Sequence, residues 1–291
     1  MATKYEIFCS VVELGSFTRV ANQLNYTQSA VSQTVRSLER ELGFTLVTRN
    51  KDGVRLTKDG EQFYPYILAI SSAEKALSKK KDEMDGMEND VITIGTFTGV
   101  SRDLLPPVIT RFKAIYPHVR FDLEQGDYTS IAQAIRDGRV DLGFVNEDAA
   151  SDLELAPLFT DELLAVLPKD HPLKEKDKVS LSDLCHDPFI LLKEGKYSIT
   201  LNAFERAGLA PNVTDIVHDD YTIISMVRQE IGISMIYSRV LNGIDRDITV
   251  RRIIERPSRR IALAWRSLQT MPKAARLFME FFIKETKNPS M

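Results

Sequence analysis

The sequence predicts an N-terminal all-α winged helix-turn-helix, a long linker helix, and a C-terminal α/β domain. Three observations carry this expectation. Residues 16–42 read as two short helices around a tight turn, residues 58–88 hold one helical pattern, and from residue 91 short apolar runs alternate with amphipathic stretches.

Ser16 can cap a helix in which Phe17, Val20, Ala21 and Leu24 recur at helical spacing. Asn25 tolerates the left-handed conformation that ends a helix, and Thr27 can cap the next one. In that second helix Val31, Val35, Leu38 and Leu42 form one stripe, Ser29, Ser32, Gln33 and Arg36 fall opposite within roughly 100°, and Gly43 closes it. Gln and Arg make paired hydrogen bonds to base edges in the DNA major groove, and Ser reaches bases or phosphates. Read alone, this face fits simple solvation equally well. The next residues shift the balance, because Leu46–Arg49 and Val54–Thr57 are short extended runs around Asn50-Lys51-Asp52-Gly53, and Asp-Gly between apolar flanks signals a hairpin. Such a wing places Arg49, Lys51 and Arg55 where cations neutralise phosphates. The expected DNA-contacting set is Thr27, Gln28, Ser29, Ser32, Gln33, Arg36, Arg49, Lys51 and Arg55.

Between residues 58 and 88 the only proline is Pro65 and the only glycines are Gly60 and Gly86, while Ile67, Ile70, Leu77, Met84 and Met87 make an apolar stripe. One helix starting at a Thr57 cap and ending near Gly86 is predicted, with Lys79-Lys80-Lys81 on a solvated face. Its stripe needs a partner, from its own chain or from another. Further on, Val91–Ile94, Val119–Leu123, Leu142–Val145, Leu163–Leu167, Phe189–Leu192, Val213–Val217 and Ile233–Ile236 read as strands with helical patterns between most of them, which argues largely parallel sheets.

Composition narrows the class. A hydrophobic fraction of 43% and a charged fraction of 27% are ordinary for a globular chain long enough for two or three cores. The net charge of −3 does not itself suggest a nucleic-acid binder, but residues 1–60 carry eight Lys or Arg against six Asp or Glu, so the basic excess falls on the winged region. No basic-then-apolar leader and no membrane-length apolar run is present, so a cytoplasmic address is expected. Two cysteines exclude a disulfide framework; Cys9 reads as a small buried hydrophobe, and Cys185, beside His186, as a candidate reactive thiol. The four histidines, His118, His171, His186 and His218, show no metal-ligand spacing, and neither a Gly-x-Ser-x-Gly elbow nor a phosphate-binding Gly-rich loop occurs. An enzyme is not expected, and neither a cofactor nor a metal.

Gly15-Ser16-Phe17-Thr18, Ala21, Leu24, Thr27-Gln28-Ser29-Ala30-Val31-Ser32, Leu38-Glu39-Arg40-Glu41-Leu42-Gly43 and Leu56-Thr57-Lys58-Asp59-Gly60 resemble, in order and spacing, the N-terminal domain of LysR-type transcriptional regulators. Ile92-Thr93-Ile94-Gly95, Leu104-Leu105-Pro106, Phe112 to Pro117 and Asp137-Gly138-Arg139-Val140-Asp141-Leu142-Gly143-Phe144 resemble the effector domain of the same family. Two departures occur: Val47 stands where the family usually has Phe, and Gln229-Glu230-Ile231-Gly232 replaces an Ala-Gly-x-Gly turn. The resemblance implies domains at 1–58 and 91–291 joined by a dimerising linker helix, 59–88. It further implies two lobes like those of type 2 periplasmic-binding proteins, lobe I about 91–160 and 267–291, lobe II about 161–266. The implied partners are double-stranded DNA bearing an inverted repeat, a small-molecule effector, a second copy in a homodimer or homotetramer, and RNA polymerase, with no membrane.

In open α/β sheets ligands bind at strand C-termini, so the cleft between lobes is the expected effector site. Thr96, Thr98, Gly99 and Ser101 follow the first strand, where hydroxyls and loop amides suit an anion but equally suit capping and turn formation. Gln125 and Asp127 follow the second strand and Asn146 the third. Lys193 to Ser198 and the stretch ending at Asp220 follow strands of the second lobe. The carboxylates of Asp127, Asp219 and Asp220 would repel a simple anion, which keeps a polar or cationic effector open.

Overall fold

The computed structural model describes residues 2–50, 53–84, 91–150, 152–244 and 247–287. Two compact units emerge, Met1–Met87 with Asp137–Arg139, and Glu88–Arg136 with Val140–Met291.

In the first unit α1 (Lys4–Leu14), α2 (Phe17–Leu24) and α3 (Gln28–Leu42) precede a hairpin of β1 (Val47–Asn50) and β2 (Gly53–Leu56), and α4 (Lys58–Met84) follows. Local chemistry sets these boundaries. The Ser16 hydroxyl accepts from the Arg19 N–H and the Thr27 hydroxyl from the Ala30 N–H, a kind of cap worth about 0.5–2 kcal/mol. Asn25, at φ 57°, ends α2, and Gly43, at φ 78°, ends α3. Val31, Val35 and Leu38 pack with Phe8, Val11, Phe17, Val20 and Leu46 in one core. Cys9 belongs to it, and burial pushes its thiol up to about 12, so it behaves as a small hydrophobe. Glu39 joins wing to helix, its Oε1 accepting from the Leu46 N–H at 2.8 Å and the Val47 N–H at 3.2 Å. The Thr57 hydroxyl accepts from the Gly60 N–H and starts α4, whose first turn lies so close to the hairpin that a Cβ on Gly60 would stand 2.0 Å from the Leu46 carbonyl oxygen. The expected α4 stripe divides in two. Ile67 and Leu68 are buried in the core of their own unit, which corrects the expectation of Ile67 on a shared face, whereas Tyr66, Ile70, Ala73 and Leu77 are exposed. Lys51, Gly86 and Met87 lie outside the described residues.

The second unit opens with β3 (Val91–Thr96), α5 (Thr98–Ser101), α6 (Leu105–Ile115), β4 (Arg120–Gln125), α7 (Tyr128–Arg136) and β5 (Leu142–Asn146). It continues with β6 (Glu154–Pro168), β7 (Lys178–Val179), α8 (Leu181–Leu184), β8 (Pro188–Leu192), α9 (Ile199–Arg206), β9 (Asn212–Val217) and α10 (Asp220–Arg228). It closes with β10 (Ser234–Tyr237), β11 (Ile248–Ile253), β12 (Ser258–Trp265) and α11 (Lys273–Lys287). Strands β4, β3, β5, β12 and the first half of β6 make one sheet, parallel at β4-β3-β5 and antiparallel where β12 pairs β5 and β6. The second half of β6 pairs antiparallel with β10 and β11, and β8 pairs parallel with β9. One strand of 15 residues therefore serves both lobes.

Two cores follow this division. Ile92, Ile94, Phe112, Phe144, Ile261, Leu263, Phe278 and Phe282 fill the first lobe, and Leu163, Val166, Phe189, Phe204, Ile223, Ile236 and Ile253 the second. The chain returns to the first lobe between Ile253 and Ile261, earlier than the expected residue 267, because β12 inserts beside β5 with Ile261 opposite Asn146. Gly95 and Gly143 are register partners, and a Cβ on either would lie 2.8 or 2.7 Å from Ile131, so α7 seats directly on the sheet. Glu230 holds φ 59° where the family turn has glycine, a backbone state that disfavours a side chain by about 1–3 kcal/mol.

Candidate functional site

The exposed side of α3 and the wing form an open concavity lined by Gln28, Ser29, Ser32, Gln33, Arg36, Arg40, Thr45 and Arg49 among others. Thr27, Gln28, Ser29, Gln33 and Arg36 are solvent-exposed, as a reading surface requires. Ser32 differs: it is 7% exposed, and its hydroxyl accepts from the Arg49 guanidinium at 2.8 Å. That guanidinium also lies over the Phe17 ring at 4.1 Å. Ser32 therefore positions the wing cation rather than presenting itself to bases, since its helix position turns it toward the hairpin. Arg49 and Arg55 remain exposed on adjacent strands, Arg49 opposite Val54 and Arg55 opposite Thr48.

A cavity of about 410 Å³ opens between the lobes of the second unit, within the size range of small-metabolite sites. Of the residues expected there, Thr98, Gly99, Gln125, Asp127, Lys193 and Asp220 line it. Thr96, Ser101, Asn146 and Ser198 do not, and each has backbone work instead. Thr96 is buried in β3, and the Ser101 hydroxyl donates to the Thr98 carbonyl at 3.4 Å. The Asn146 Oδ1 accepts from the Asp148 N–H at 3.3 Å, and the Ser198 hydroxyl caps α9 through the Leu201 N–H at 3.2 Å. These are the capping roles that compete with ligand binding for any hydroxyl or amide at a strand end.

The cavity's inner wall includes Arg259, which the sequence left unmarked. Arg259, 4% exposed, donates to the Asp161 carboxylate at 2.8 Å and to the Tyr128 hydroxyl, and its guanidinium stacks 3.3 Å from the Tyr237 ring centroid. Asp161 also accepts from the Ser238 hydroxyl at 2.8 Å, whereas the buried Arg259 Nε has no hydrogen-bond partner among the described residues. Removing one partner of such a buried pair typically costs about 3–5 kcal/mol. A Cβ on Gly99 would approach the Arg259 Nη2 at 3.2 Å, so a glycine there leaves the guanidinium its room. Glu194 accepts from the Tyr237 hydroxyl at 2.7 Å and from the Ile199 N–H at 3.3 Å. Burial raises the pKa of Glu194, against the opposing effects of the Tyr237 hydroxyl and Arg259. Asp220 is raised by the same cause, with Arg259 and the Thr98 hydroxyl opposing, and its Oδ1 is buried without a hydrogen-bond partner.

The family model described as "LysR substrate binding domain" matches residues 85–287, and that described as "Bacterial regulatory helix-turn-helix protein, lysR family" matches residues 3–61. The chain belongs to the LysR family of transcriptional regulators. It is 31% identical to the transcriptional dual regulator GltC of Bacillus subtilis, over 88% of this chain and 87% of that one. It is 29% identical to the HTH-type transcriptional regulator YvbU of the same organism, over 96% of each. The fold matches a full-length OxyR variant from Pseudomonas aeruginosa at a TM-score of 0.72 and 22% identity, covering 100% of this chain and 95% of that one. This LysR regulator binds DNA through its helix-turn-helix, carries a two-lobed domain for a small-molecule effector, and is not an enzyme. Among its described residues no helix is long and apolar enough to cross a membrane. Burial raises the Cys185 pKa and its thiol donates to the Leu181 carbonyl oxygen, both of which hold it protonated and work against a reactive thiolate.

Proposed function

We propose that α3 enters the major groove with Gln28, Ser29, Gln33 and Arg36 toward base edges and Thr27 at the backbone, while Arg49, held by Ser32 and Phe17, and Arg55 engage phosphates. Lys51, which lies outside the described residues, joins them in this reading. The exposed polar face of α3 beside an anchored wing arginine carries it. The effector occupies the cavity lined by Thr98, Gly99, Gln125, Asp127, Lys193 and Asp220, with Arg259 as its floor. A second copy of the chain pairs through α4, so the operator is an inverted repeat, two such dimers can join as a tetramer, and the protein acts in the cytoplasm in contact with RNA polymerase.

Fluorescence anisotropy with operator DNA tests the reading face. Arg36→Ala should weaken specific binding by about 1–3 kcal/mol, whereas Arg55→Ala should weaken binding to all sequences and lower the salt slope by about one. Equal operator affinity for Arg36→Ala and wild type would sink the base-reading role.

A further inference from the structure

Four carboxylates line the interlobe cavity. Asp127 Oδ1 accepts from the Thr129 and Ser130 N–H groups at 2.8 and 3.0 Å. Asp219 Oδ1 accepts from the Thr222 N–H and hydroxyl at 2.7 and 2.9 Å. Glu194 is answered by Tyr237 and Ile199. The cation facing them, Arg259, donates from its two terminal nitrogens to Tyr128 and Asp161, and its Nε has no partner among the described residues. Among the carboxylates Asp220, 8% exposed and beside the Thr98 hydroxyl, lines the cavity with an Oδ1 that no donor among the described residues satisfies.

A buried carboxylate with an unanswered oxygen is costly, and a neutral hydroxyl donor would satisfy the hydrogen bond while leaving the charge. A protonated amine does both. We infer that the cavity takes a small metabolite carrying a protonated amine, which stands against Asp220 Oδ1. Lys193, exposed on the same lining, offers a complementary site for an acidic group, so amino acids are the fitting class. This rests on the cavity being the effector site.

The test is thermal unfolding and calorimetric titration of the full chain against the twenty common L-amino acids and putrescine, with the 2-oxo and 2-hydroxy acids of the same carbon skeletons as amine-free counterparts. At least one amine-bearing probe should raise the Tm while its amine-free counterparts at equal concentration do not. Asp220→Asn, which keeps the shape and removes the charge, should weaken that probe at least tenfold without lowering the ligand-free Tm, and Thr98→Val, a second wall residue, should weaken it as well. Stabilisation by amine-free acids alone, sensitive to Thr98→Val, would keep the cavity as effector site and overturn the amine. Stabilisation by an amine that both variants preserve would place binding elsewhere and overturn both readings. No shift from any probe also overturns the amine class.

Discussion

Burial raises the pKa of Asp220 and of Glu194, and Arg259 opposes the shift at each. An acid whose folded pKa lies above its unfolded value holds more protons when folded, so its stabilising contribution is complete below the unfolded pKa of about 4 and is lost as pH rises through the folded one. The lone tryptophan, Trp265, is buried in the first lobe of the effector unit and reports its unfolding. The Tm read by Trp265 fluorescence should fall as pH is raised from about 4, and Asp220→Asn should flatten that slope; an unchanged slope would remove Asp220 as its source. In the other unit Glu39 answers two wing N–H groups, so Glu39→Ala should cost about 1–3 kcal/mol in urea unfolding, whereas Glu39→Gln keeps the accepting oxygen and costs less. Equal losses in the two variants would show that its charge, not its acceptor, matters. Residues with local jobs were legible: the Ser16 and Thr27 caps and the Asn25 and Gly43 helix ends depend on neighbours within a turn. Arg259 was not, because the group that permits its burial, Asp161, lies 98 residues away in sequence. Glu39 hid for a similar reason, since a glutamate late in a helix reads as solvated until the wing folds over it.

Helix α4 shows what periodicity gives and withholds. Its existence followed from a long stretch nearly free of glycine and proline, but an apolar stripe alone does not say which neighbour it meets. Ile67 turns inward, while Tyr66, Ile70, Ala73 and Leu77 repeat at spacings of four, three and four residues on the exposed side, the pattern of a helix-pairing seam. Ile70→Glu combined with Leu77→Glu should therefore yield monomers by light scattering, with the helix-turn-helix core intact because neither residue belongs to it. Persistence of a stable dimer would move the interface elsewhere. Among strands, continuous apolar runs such as Leu142–Val145 announced themselves, but β11 and β12 did not: Arg251, Arg252, Arg259 and Arg260 interrupt their hydrophobic pattern.

At the scale of the whole chain, an effector changes DNA affinity only by favouring one arrangement over another, and the coupling is reciprocal. Operator DNA should shift the effector dissociation constant by the same factor as effector shifts the DNA dissociation constant, in the range of about 5–150-fold; unequal factors in matched titrations would refute a single two-state linkage. The shared strand β6 has a different consequence, which concerns the ribosome. The second lobe is one continuous stretch of chain, but the first lobe's sheet is complete only when β12 reaches β5, and Asn146 meets a partner, Ile261, made about 115 residues later. At about 5–20 residues per second that interval lasts roughly 6–23 s, during which the apolar β5 edge has no neighbour on that side and invites wrong pairing. The lobe begun second is thus the first to be finished in synthesis, and the nascent protein needs shielding longest at the strands that were made first.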